Sequence, residues 1–152
     1  MEKKEFVEFC GNEFKKHGFK KGKKYFYMVG KDLLCGMDLQ KSNYGNVYYV
    51  NFFYFIGDYS ASTILPTHYE SDIQGRILAM SKTQTYQGER FMTALIEYEE
   101  YAEDELQVFF DKEFKEKVLP PITQGKKYIL DNLGKVYFLT LRQDEVKRKL
   151  KS

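Results

Sequence analysis

The chain has 152 residues, 24 Lys/Arg against 22 Asp/Glu, two cysteines and 17% aromatic residues with no tryptophan. That length suits one domain over residues 1–152, large enough to bury a core without metal or disulfide staples. No long uncharged apolar run and no apolar leader after Met1 is present, so neither membrane insertion nor secretion is expected and the reading is cytoplasmic.

Phe6, Phe9, Cys10, Glu13, Phe14 and His17 recur at helical spacing, which predicts an amphipathic helix over residues 3–17 closed at Gly18. Six lysines from Lys15 to Lys24 crowd its exit, where cations suit the negative end of the helix dipole. Residues 25–29 form a first strand and Gly30-Lys31-Asp32 a turn. In a second strand, Leu33 to Gln40, Leu33, Cys35, Met37 and Leu39 share one face while Gly36, Asp38 and Gln40 share the other. After Ser42 to Asn46, a third strand from Val47 to Ile56 is apolar on both parities except at Asn51. It is expected to be central and covered on both faces, or on one face plus an aromatic groove.

A polar loop, Asp58 to Asp72, carries Pro66 and His68. Strands are expected at Arg76 to Met80 and Phe91 to Tyr98, joined through Gln84 to Glu89. Leu106, Phe109, Phe110, Glu113, Phe114 and Val118 mark a helix over residues 103–118, started by acidic residues and stopped before Pro120. A further helix is expected from Pro121 to Leu133, ended by Gly134, then a strand from Val136 to Leu141 and a basic tail from Asp144 to Ser152. The pattern is α+β: an antiparallel sheet of about five to six strands with an N-terminal helix and C-terminal helices packed on it.

Certain stretches are similar to a known family. His17-Gly18-Phe19-Lys20-Lys21, Tyr25-Phe26-Tyr27, Leu39-Gln40-Lys41-Ser42, Tyr49-Val50-Asn51-Phe52, Asp72-Ile73 and Arg76-Ile77 together resemble the bacterial domain-of-unknown-function family four-three-zero-four over roughly residues 5–130. The resemblance implies a helix-and-sheet domain and supplies no activity, ligand or catalytic residue. A tryptophan-bearing stretch expected after the Arg-Ile strand is absent.

Neither His17 nor His68 lies at a spacing that marks a nucleophile, so no catalytic residue is assigned. A triad of His68, Ser60 or Ser62 and Asp58 is the alternative that folding alone could assemble. No Cys-x-x-Cys or His-x-x-x-His pair exists, so no metal and no cofactor are expected. Cys10 and Cys35 face apolar sides and read as inert thiols. The lysines flanking Tyr25-Phe26-Tyr27 suggest nucleic acid, but Gly45, Asn46, Val47 and Tyr48 fail the RNA-stacking motif that Tyr49 to Phe52 would complete.

The candidate binding residues are Gln40, Lys41, Ser42, Tyr44, Asn51 and Arg76, polar groups where two strands meet a flexible loop. As structural residues, Gln40 and Asn51 would satisfy backbone groups and Arg76 would pair with Asp38 or Asp72. The acidic run Glu97, Glu99, Glu100, Glu103, Asp104 and Glu105 would suit a basic partner. The expected function is a non-enzymatic protein-interaction module, such as a small bacterial inhibitor or immunity-type protein. The alternatives are a small-ligand domain using an aromatic groove between sheet and helices, and weak nucleic-acid binding.

Overall fold

A computed structural model describes residues 1–139 and 142–152. Helix α1 (Lys3–Lys16) leads into the strands β1 (Lys20–Lys21), β2 (Phe26–Val29), β3 (Leu33–Lys41), β4 (Tyr48–Ile56) and β5 (Ile73–Arg76), and a hairpin of β6 (Ala79–Tyr86) and β7 (Glu89–Thr93) follows. The C-terminal part holds α2 (Glu103–Glu113), a π-helical segment (Phe114–Val118), α3 (Leu119–Gln124), α4 (Lys126–Asp131), β8 (Phe138–Leu139) and α5 (Gln143–Lys151). The main sheet runs β1-β2-β3-β4-β5-β8, every pair antiparallel, and β6 and β7 pair apart from it. The fold is therefore α+β, with helices at both ends of the chain.

Strand alternation divides the core. Leu33, Cys35, Met37, Val50, Phe52, Tyr54 and Ile56 face the helices and join Phe6, Phe9, Phe14, Phe110 and Phe114 in the main core. Leu34, Phe53 and Phe55 face the other way, where Tyr25, Tyr59 and Leu65 cover them. Glycines make room for the neighbouring phenylalanines of β4: a Cβ on Gly36 would stand 2.2 Å from the Phe53 ring, and one on Gly75 2.3 Å from the Phe52 ring.

Several boundaries move. The lysines after α1 supply β1, and the expected Arg76–Met80 strand is two strands parted at Ile77-Leu78. The Gln84–Glu89 connection is mostly strand with a turn at Gln87-Gly88, and Tyr98 lies in a 3-10 turn. The helix expected from Pro121 breaks at Gly125, where the Asp32 carboxylate accepts the Lys126 N–H at 2.7 Å and caps α4. The basic tail is helical because Val146 and Leu150, one turn apart, are buried. Of the Val136–Leu141 strand, Phe138–Leu139 is strand, and Thr140 and Leu141 lie outside the described residues.

Pro121 has no N–H to offer the Lys117 carbonyl one turn back. Two buried tyrosines replace it: the Tyr137 hydroxyl donates to Lys117 O at 2.6 Å, and the Tyr54 hydroxyl reaches Lys117 O at 3.1 Å and Val118 O at 2.8 Å. The π-helical widening sits at these residues, so β4 is fastened to the helix where proline weakens it. Tyr54→Phe should cost about 1–3 kcal/mol in urea unfolding because it takes a buried donor from Val118 O and leaves Lys117 O to Tyr137 alone, and Phe110→Ala about 3–5 kcal/mol. Tyr69→Phe, at a 95% exposed ring, should stay within about 0.5 kcal/mol. Burial pushes both the Cys10 and Cys35 thiols up, so thiol titration should label neither in the native state and both in denaturant.

Candidate ligand groove

The face of the sheet away from the helices is covered only in part. The segment between β4 and β5 folds back over it, with Tyr25 donating its hydroxyl to Pro66 O at 2.6 Å and the His68 ring stacked on Phe53 at 3.9 Å. Beyond His68 the cover stops and side chains of β3, β4 and β5 are left open. Cross-strand register sets them side by side, Asp38 opposite Asn51, Gln40 opposite Tyr49 and Asn51 opposite Arg76.

Asn51, 7% exposed, is the hub. Its amide nitrogen donates to Asp38 Oδ1 at 2.9 Å and Gln40 Oε1 at 3.1 Å, and its oxygen accepts from Arg76 Nε at 3.2 Å. The Arg76 guanidinium lies over the Tyr49 ring at 3.7 Å and reaches Gln40 at 3.5 Å. Among the described residues no carboxylate lies within ion-pair distance of Arg76: Asp38 is engaged by His68 and Asp72 by Arg142 and Lys149. Asp38 Oδ2 sits 2.8 Å from His68 Nδ1. A carboxylate only accepts, so Nδ1 carries the proton and Nε2 is left for another partner.

Around this network runs a groove of about 870 Å³, within the roughly 300–1,000 Å³ typical of ligand sites. It wraps the free end of β5, since β8 pairs only with Ile73 and Gln74. Asp38, Gln40, Asn51, His68 and Arg76 line one side, and Leu39, Phe52, Lys117 and Val136 the other, with Lys24, Tyr69 and Phe138 at its rim.

The structure thus unites Gln40, Asn51 and Arg76 and leaves Lys41, Ser42 and Tyr44 out. Lys41 points to the opposite face by strand alternation and reaches Gly45 O. Ser42 is buried and holds the Tyr44 N–H at 3.1 Å, while Tyr44 projects into solvent. Asp38 and His68 are the members that sequence spacing missed. Asp58 is engaged by Ser60 instead of joining a triad with His68. Phe52 is buried and Arg76 covers Tyr49, which leaves no open pair of rings for stacked bases on β4.

The model of the family described as Domain of unknown function (DUF4304) matches residues 10–123. The chain belongs to this family. All of Asp38, Gln40, Asn51, His68 and Arg76 fall inside the DUF4304 match. No curated protein and no solved structure matches the chain. No helix among the described residues is long and apolar enough to cross a membrane. Asn51→Leu, which removes the donor shared by Asp38 and Gln40, should cost about 1–3 kcal/mol in urea unfolding.

Proposed function

We propose that this chain is a binding domain for a small anionic ligand carrying an apolar or planar body. The observation that carries this reading is the state of Arg76: a guanidinium fixed by two amide side chains and a tyrosine ring, with no carboxylate partner among the described residues, at a groove. Such a cation is preorganised and keeps N–H groups for a carboxylate or phosphate. Lys24 adds a further cation at the groove, and Tyr69 and Phe138 offer exposed rings at the rim.

A protein partner is the second reading, supported by the β6–β7 hairpin. It stands off the main sheet with Tyr86 71% and Phe91 36% exposed. Nearby, Glu97 is taken by Thr83 and Glu105 by Lys82, whereas Glu99, Glu100, Glu103 and Asp104 are not held by a cation among the described residues. An immunity-type protein would use those free acids on a basic partner.

Melting curves and titration calorimetry with inorganic phosphate, citrate and adenosine monophosphate separate these readings. At least one anion should stabilise the protein, by about 2.7 kcal/mol at a hundredfold excess over Kd, and Arg76→Gln should remove the effect while the fold persists. Stabilisation that survives Arg76→Gln, or none from any of the three, contradicts the ligand reading.

A further inference from the structure

We propose a second, independent site: a divalent transition-metal centre of the zinc class between α1 and α2, with Glu13, His17 and Asp111 as its ligands. Glu13 lies in the last turn of α1 and His17, four residues on, caps its end. Asp111 comes from the last turn of α2. One ligating atom from each of the three lies within 4.8 Å of the others. Metal–ligand bonds of about 2.0–2.2 Å place tetrahedral donors some 3.3–3.6 Å apart, so side-chain adjustment of about an ångström completes the set.

Independent observations support it. First, the position already attracts a cation: Lys16 Nζ lies 3.1 Å from Glu13 Oε2 and 3.6 Å from Asp111 Oδ1. Lys16 is half-exposed and can swing into water to make way. Secondly, His17 Nε2 is the one buried side-chain polar atom among the described residues with no hydrogen-bond partner. Thirdly, supporting contacts exist. Gln107 Nε2 spans Glu13 Oε2 at 2.7 Å and Asp111 Oδ1 at 2.8 Å, and the Phe114 ring stacks on His17 at 4.3 Å.

His17 and Asp111 also line a shallow depression of about 390 Å³ with Leu119, Pro120 and Thr123, which lets water or an external ligand complete the coordination. A nitrogen and two carboxylates suit Zn²⁺ or Co²⁺ better than Ca²⁺, which prefers six or more oxygens.

Co²⁺ titration followed by visible absorption, with Zn²⁺ as competitor, tests the site. The native protein should give a d–d band that Zn²⁺ bleaches. His17→Ala and Asp111→Asn should each weaken binding by about 10–100-fold or more, at least the loss seen for outer-shell partners. Lys16→Met should tighten it, because the competing ammonium is gone; a purely structural ion pair would show no such gain. No band at millimolar Co²⁺, or one unchanged in both ligand variants with circular dichroism confirming their fold, overturns the proposal. So does a Lys16→Met variant that binds no better than the native protein.

Discussion

The buried carboxylate of Asp72 holds together the parts from which the groove is built. It is 1% exposed, accepts the Ile56 N–H at 2.8 Å, and meets Lys149 at 3.1 Å and Arg142 at 3.5 Å. Its own N–H donates to Tyr54 O at 2.8 Å. One side chain therefore links the end of β4, the start of β5 and the C-terminal helix. Arg142 also donates to Glu70 O, which ties down the segment carrying His68. The carboxylate is buried while Lys149 and Arg142 stay partly in water, so its hydrogen bond to the Ile56 N–H and its two cations fix the geometry of this junction more than they add net stability.

From that junction the two faces of β4 follow different rules. On the helix side, Phe52 and Tyr54 enter a continuous aromatic core, and the Tyr54 and Tyr137 hydroxyls meet the Lys117 carbonyl that Pro121 leaves unpaired. On the other side, Phe53 and Phe55 are covered by Tyr25, Tyr27 and a loop that carries Tyr59 and Leu65. Where the loop turns away after His68, apolar burial gives way to Asn51, Asp38, Gln40 and Arg76. A buried polar network is stable only when its members are satisfied. Here each amide and carboxylate has a protein partner, and Arg76 is the member with a full charge still to be met.

The alternation of Leu33 to Gln40 and the two-sided apolar run of β4 made the sheet legible in the sequence, and the stripe from Leu106 to Val118 did the same for the main C-terminal helix. The break at Gly125 was hidden because its cause, Asp32, lies far away in sequence. Helix α5 was hidden because only Val146 and Leu150 mark its buried face. Gln40, Asn51 and Arg76 could be picked out as polar groups on apolar strands. Their partners could not: Asp38 and His68 meet across 30 residues only because the loop folds back over Phe53. The grouping of Glu13, His17 and Asp111 was not legible, because Asp111 joins the other two only through helix packing.

The docking of that loop is the claim on which the groove rests, and nuclear magnetic resonance of the imidazole rings tests it most directly. The chain has two histidines, each stacked on a different phenylalanine, His68 on Phe53 and His17 on Phe114. In solution, the His68 ring protons should show upfield ring-current shifts and Overhauser contacts to Phe53, and both should weaken in Asp72→Asn. His68 resonances at unstructured positions with no contact to Phe53 in the native protein would contradict the account.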